Sequence, residues 1–386
     1  MFRTAIVLPF RLLGIPVRLD ITFLLILPLL AWMIGSRLEL YVTLFGLPID
    51  PHPLQQGLMP YGLGLVAALG LFVSVVIHEL GHSVIVGRYG IKVKSITLWF
   101  LGGVAQFEDM PRQRGAEAIV AIAGPITSLA LAAICWIVLR SIPAEFAAAQ
   151  FVFGYLVYMN AALALFNLLP ALPLDGGRVL RSLLALRWPP LQATQISANI
   201  SRFLAVLLGL FGFLTLNIFL MLIAFFIYMG VSAETQNATV TEMLQGIDVQ
   251  DLMSREVQTV LPEMRVSDLI QKMFQERHLG YPVLESAGKL LGIVTLSDIQ
   301  KLKDAGNAET STTVREIMSP QVLTVLESTS ALEAFQKMSR NNFDRMVVVD
   351  SKGQMVGIIT KTDLIRAIQV RTVDLELLSQ AHKGLT

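Results

Sequence analysis

Apolar residues run for about the length of a bilayer-crossing helix, some 20 residues, near 20–35, 62–88, 115–139 and 150–170, and over a longer block at 198–232. That last block is too long for one crossing and carries Asn217 near its middle, so it predicts two helices joined by a tight turn at Leu214 to Asn217. Six spans are expected. Between the second and third, Lys92 to Leu101, then Gly102-Gly103, then Val104 to Phe107 predict an amphipathic β-hairpin with a glycine turn, lying at the membrane surface. Glu108 and Asp109 read as its solvated exit. Gly14 to Leu19 predicts a further short strand there, which Pro16 would confine to an edge. The first apolar run, Ala5 to Phe10, is too short for a signal-peptide core, so the first span is expected to stay as an anchor.

Beyond residue 235 the pattern changes to short amphipathic helices and strands, and it repeats. Asp251-Leu252-Met253-Ser254 returns as Glu316-Ile317-Met318-Ser319, Gln271-Lys272-Met273 as Gln336-Lys337-Met338, and Gly292 to Asp298 as Gly357 to Asp363. All three blocks share one offset of 65 residues, which marks a duplication. The expected organisation is a membrane domain at 1–235, a linker at 236–247, one repeat at 248–303, a linker at 304–313, a second repeat at 314–370 and a tail at 371–386. The fold class is a multi-span helical membrane protein followed by a soluble α/β pair.

Composition agrees: of 386 residues 54% are hydrophobic and 15% charged, with mean hydropathy +0.63, too apolar for an ordinary soluble chain. Residues 1–235 carry 14 Lys/Arg and 10 Asp/Glu, and the shorter remainder carries 16 and 19. A net charge of +1 and the lack of a basic patch interleaved with aromatics give no reason to expect nucleic acid. The single cysteine, Cys135, lies in an apolar helix and reads as packing. Eleven Lys/Arg between Arg3 and Arg187 fall on one side of the predicted spans, against Arg37 and Arg140 on the other, so both termini are expected in the cytoplasm.

The second span contains His78-Glu79-Leu80-Gly81-His82. On a helix, residues four apart share a face, so the two imidazoles can bind one metal, while Glu79 lies about 100° round, beside the attacking water. Ionisable groups at membrane depth are costly, roughly 2.5 to 3.5 kcal/mol for Asp, Lys or Arg on insertion scales, so they mark function. A catalytic zinc takes three protein ligands. The candidate third is Asp175, in Asn167-Leu168-Leu169-Pro170-Ala171-Leu172-Pro173-Leu174-Asp175-Gly176-Gly177, where prolines and glycines forbid a regular helix at the inner end of the fourth span. Asn167 offers an amide for a peptide carbonyl, whereas Asn160 reads as an interhelical hydrogen bond. From these residues alone, a transporter using His78, Glu79, His82 and Asp175 as an ion site also stands.

The HExxH of His78 to His82 and the NxxPxxPLDG of Asn167 to Gly176 resemble the site-2 proteases, intramembrane zinc metalloproteases of peptidase family M50. Gly102-Gly103 and Gly124-Pro125 extend the resemblance, which covers residues 1 to about 232. It implies His78, His82 and Asp175 as zinc ligands, Glu79 as base, Asn167 as a substrate-positioning residue, and a transmembrane protein in the cell's inner membrane as substrate. The repeat resembles a tandem CBS pair. That implies an adenine nucleotide held by Thr295, Asp298, Thr360 and Asp363, and the possibility of a homo-oligomer formed through the CBS domains.

Overall fold

The computed structural model describes residues 6–99, 102–108, 113, 115–285, 288–304 and 312–383. It divides into two compact units, Met1–Gln236 and Asn237–Thr386. Arg3, Asp109, Arg112, Arg114, the hairpin tip at Phe100 and Leu101, and most of the expected linker at 304–313 lie outside the described residues.

In the first unit, strands β1 (Ile6–Leu12) and β2 (Ile15–Leu19) lead into α1 (Ile21–Ser36) and α2 (Leu38–Leu44). Then follow α3 (Met59–Arg88), β3 (Val93–Trp99), β4 (Gly102–Phe107), α4 (Ala116–Ser141), α5 (Ala147–Asn167), α6 (Asp175–Leu184), α7 (Pro190–Leu214) and α8 (Ile218–Leu244). The apolar block 198–232 does divide, between α7 and α8, with Asn217 Oδ1 accepting from the Phe219 and Leu220 amides that open α8. Among the described residues, five helices, α3, α4, α5, α7 and α8, are long and apolar enough to cross a membrane. The expected first span is broken. Helix α1 has only 16 residues, and it forms a sixth candidate only together with α2, across a 67° bend at Arg37.

The four strands form one sheet in the order β1-β2-β3-β4, with β2 parallel to β3 and the other pairs antiparallel. Pro16 is therefore not on an edge strand. It is tolerated because the β2–β3 ladder spans only Val17 to Leu19, so the missing N–H of Pro16 is not needed on that side. The glycines of the hairpin also do a different job from the one expected. Gly102 and Gly103 begin β4, opposite Trp99 and Leu98. A Cβ at Gly103 would stand 2.8 Å from Glu79 Cγ and 2.9 Å from Val75 Cγ1, so β4 can pass α3 this closely only without a side chain.

Lipid tails are as apolar as leucine, so helices in a bilayer associate through close packing of small residues. On α1 and α3, a side chain at Gly35 would meet the Pro60 backbone, and one at Gly64 would collide with the Ala31 carbonyl. Around this seam and α5, Ile34, Leu38, Ala67, Ala68, Phe151 and Tyr155 are buried together.

The second unit comprises α9 (Val249–Leu252), α10 (Val266–Glu276), β5 (Gly280–Leu284), β6 (Leu290–Thr295) and α11 (Leu296–Asp304), followed by α12 (Val314–Ile317), β7 (Thr324–Leu326), α13 (Ala331–Asn341), β8 (Arg345–Val349), β9 (Met355–Thr360) and α14 (Lys361–Lys383). The short helices α9 and α12 both open with a capping box, Asp248 with Asp251 and Thr313 with Glu316. The repeats exchange their opening segments: Ser254 bridges Ile358 and Ser319 bridges Ile293. Met253 fills the space above Gly357, and Met318 that above Gly292.

Two stretches expected only as a linker and a tail are helical for most of their length. The expected linker at 236–247 continues α8 to Leu244, and the expected tail at 371–386 continues α14 to Lys383. Burial explains the first: Leu244 is a core residue of this unit with Val240 packed beside it. Arg371 of α14 donates to the carbonyls of Met243 and Gln245, as suits a cation at a helix C-terminus.

Candidate active site

Helix α3 places His78 and His82 one turn apart, both buried, against a single stripe of α4. Along that stripe Val120, Gly124 and Ser128 recur every four residues. His82 Nδ1 lies 2.8 Å from the Val120 carbonyl oxygen. A carbonyl only accepts, so His82 Nδ1 carries the hydrogen and Nε2 is left to the other side of the ring. His78 Nδ1 lies 2.8 Å from Ser128 Oγ, which leaves His78 Nε2 facing the same point. Between them, Gly124 approaches so closely that any side chain would collide with both imidazoles.

The third group arrives from the irregular segment after α5. Leu172 N–H donates to Ser201 Oγ of α7 at 2.8 Å, and Ala171 and Leu172 are buried with Ala198 and Ala205 of α7 and Ile227 and Val231 of α8. The chain then folds back over the first turn of α6. Side chains at Gly176 and Gly177 would strike the backbone of Leu168, Leu169, Ala171 and Leu172, so the Asp-Gly-Gly run answers a steric demand. Asp175 is the first residue of α6, and its Oδ2 lies 3.2 Å from His78 Nε2 and 3.3 Å from His82 Nε2.

The two imidazole Nε2 atoms are themselves 3.3 Å apart. Donors held at zinc–ligand lengths near 2.0–2.1 Å with tetrahedral angles stand about 3.3 Å from one another. The triangle thus has the size of one face of a zinc tetrahedron, in a donor set of two imidazoles and a carboxylate, and the residues fit that metal. Among the described residues, no other group of three such side chains converges in this way.

Glu79, next to His78, accepts from the backbone N–H of Ala105 in β4 at 3.1 Å. Asn167, at the end of α5, donates one amide hydrogen to the Leu163 carbonyl of its own helix at 2.9 Å. Asn160 is fully buried and donates to Ser74 Oγ of α3 at 3.0 Å, the interhelical bond its sequence setting suggests. In the second unit, Thr295 donates through both its N–H and its hydroxyl to Asp298 Oδ2, and Thr360 does the same to Asp363 Oδ2, with hydroxyl distances of 2.6 Å in each. Each of these pairs caps the helix it opens. Sequence reading missed Val120 and Ser128, although their four-residue spacing about Gly124 was a usable signal. It also missed Ala105, which carries no signal because only its backbone takes part.

The family model of Peptidase family M50 matches residues 66–145 and 140–208, and that of the CBS domain matches 249–304 and 314–370. A zinc metalloprotease of Methanocaldococcus jannaschii is 34% identical over 368 residues, covering 95% of this chain and 97% of its own length. The solved structure of the site-2 protease from the same organism is 34% identical, covering 60% of this chain and 95% of that one with a TM-score of 0.42. CBSX2, solved in complex with AMP, is 27% identical and covers 33% of this chain and 99% of its own, with a TM-score of 0.29. The chain belongs to peptidase family M50, as a zinc metalloprotease of the site-2 protease type whose helical region is followed by a pair of CBS domains.

Proposed function

We propose that this protein cuts a transmembrane segment of a membrane-bound protein, as an intramembrane endopeptidase in regulated proteolysis. The observation that carries the reading is the convergence of His78, His82 and Asp175 on one point, with Glu79 adjoining. Those three side chains would hold zinc. Bound there, zinc supplies a Lewis acid and makes water a competent nucleophile near neutral pH.

Glu79 takes the proton of the attacking water and delivers it to the leaving amine. Its hydrogen bond from Ala105 keeps one carboxylate oxygen turned to β4 and leaves the other for this task. Asn167 holds the substrate carbonyl with its remaining amide hydrogen. A helical substrate hides its peptide bonds, and β4, the outermost strand of the sheet, suits an unwound segment added as a further strand. The distribution of basic residues supports cytoplasmic termini in the inner cell membrane, with water reaching the site from the cytoplasm. In the CBS pair, Thr295 with Asp298 and Thr360 with Asp363 would take the ribose or phosphate of an adenine nucleotide and regulate cleavage, and the same pair would mediate self-association.

The test uses the full chain in detergent with a single-span reporter. Wild type is expected to retain one zinc per chain and to cleave until zinc is stripped by chelator. Glu79→Gln is expected to keep the zinc and lose cleavage. Cleavage by Glu79→Gln at the wild-type rate, or a metal content unaltered by His78→Ala, would sink the assignment.

A further inference from the structure

Helix α8 touches the segment bearing Asp175 at two places. Two residues before it, Pro173 packs directly on Gly230 of α8, where any side chain would intrude on the proline ring. Six residues after it, Arg181 of α6 donates to Glu234 of α8 at 2.7 Å and, through its other terminal nitrogen, to Glu117 in the first turn of α4. The neighbouring Ser182 hydroxyl accepts from the Ala118 N–H, a second tie from α6 to α4. All three charged side chains are largely buried, at 17% exposure for Arg181, 21% for Glu117 and 23% for Glu234.

Arg181 takes no part in the chemistry proposed above. A guanidinium presents a planar fork that can satisfy two carboxylates at once, which an ammonium cannot do in the same fixed geometry. Helix α4 is the element that orients both histidines, and α8 is the one that bears on both flanks of Asp175. Through Arg181 the two helices are joined on the helix that opens with Asp175.

We propose that Arg181 is a positioning residue of the metal centre, the fork by which α4 and α8 together fix Asp175 opposite the two histidines. The inference rests on the reading that His78, His82 and Asp175 hold a metal. Helix α8 itself runs on from Glu234 to Leu244.

The experiment loads the full-length protein with cobalt(II), whose visible absorption reports ligand geometry, and compares wild type with Arg181→Lys, Glu234→Gln and, as a control outside the grip, Arg202→Gln of α7. Both grip variants are expected to change the cobalt spectrum and to lower kcat about tenfold with KM within about twofold, the scale of effect seen when support behind a metal ligand is lost. Arg202→Gln is expected to match wild type in both. A destabilised but correctly positioned site would instead lose folded protein while the remainder kept the wild-type spectrum and kcat, and that result overturns the proposal. So does an unchanged spectrum in both grip variants. The spectra do not depend on turnover, so a failure of the protease reading would leave them informative, and cleavage lost in Glu79→Gln alongside unmoved spectra would retain that reading while removing this one.

Discussion

His78 and Ser128 meet across the α3–α4 seam, imidazole Nδ1 to hydroxyl oxygen, at 2.8 Å. Ser128 stands eight residues from Val120, whose carbonyl accepts from His82 Nδ1, so one face of α4 orients both rings and fixes the tautomer of His82. Partners of this kind raise ligand basicity and fix ring orientation, and their loss costs about 10- to 100-fold in metal affinity or activity. Ser128→Ala is expected to weaken zinc binding by that amount in competition with a chromogenic chelator, and Ser128→Thr to recover most of it. Equal affinity in Ser128→Ala would show that the hydroxyl is a bystander.

Gly124 lies between those two contacts. A single methyl there is expected to displace both imidazoles and empty the metal site, while the helix, which prefers alanine to glycine by about 1 kcal/mol, still forms. Metal analysis of purified Gly124→Ala, with circular dichroism to establish helicity, checks this. Full zinc occupancy would contradict the close approach.

In the CBS pair the exchanged methionines make a paired prediction. A side chain at Gly357 would stand 2.8 Å from Met253 Sδ and 2.9 Å from the Ser254 carbonyl, and one at Gly292 3.0 Å from Met318 Sδ and 2.8 Å from the Ser319 carbonyl. Gly357→Val and Gly292→Val are each expected to destabilise the pair by about 1–3 kcal/mol, the usual cost of overpacking. Denaturant unfolding of the full chain, followed by a probe in the C-terminal unit, measures it. Midpoints within error of wild type would mean that the repeats do not depend on the exchange.

If adenine nucleotides regulate cleavage and α8 carries the signal, interrupting that helix should separate the two. Two glycines inserted after Ala238 are expected to bring the ratio of cleavage rates with and without AMP or ATP to about one, because each glycine costs a helix about 1 kcal/mol and frees the backbone. A ratio kept at the wild-type value would rule α8 out as the path.

Much of this was legible in the chain because the underlying signals are local. Helix periodicity puts His78 and His82 on one face without any knowledge of the rest of the fold, and a bilayer-length apolar run needs no partner to be recognised. The constant 65-residue offset exposes a duplication by itself. Errors came where a neighbour decides. Pro16 looked like an edge residue, but the short β2–β3 ladder leaves its missing donor irrelevant. Gly102-Gly103 looked like a turn, but the pair is there because β4 slides past Glu79. The linker expected at 236–247 came without a conformation, and its helix to Leu244 depends on the core that Leu244 finds in the second unit.

The sequence by itself determined the chemistry: two imidazoles four residues apart, a carboxylate beside the first, and an aspartate in a proline- and glycine-rich break, since side-chain type and helical spacing are properties of the chain alone. Only the tertiary structure decided that Asp175 Oδ2 stands 3.2 and 3.3 Å from those imidazoles. It also decided that Val120, Ser128 and Arg181 hold the arrangement. Those distances join residues up to 97 positions apart, and they depend on how closely glycine lets four helices approach, which no local pattern encodes.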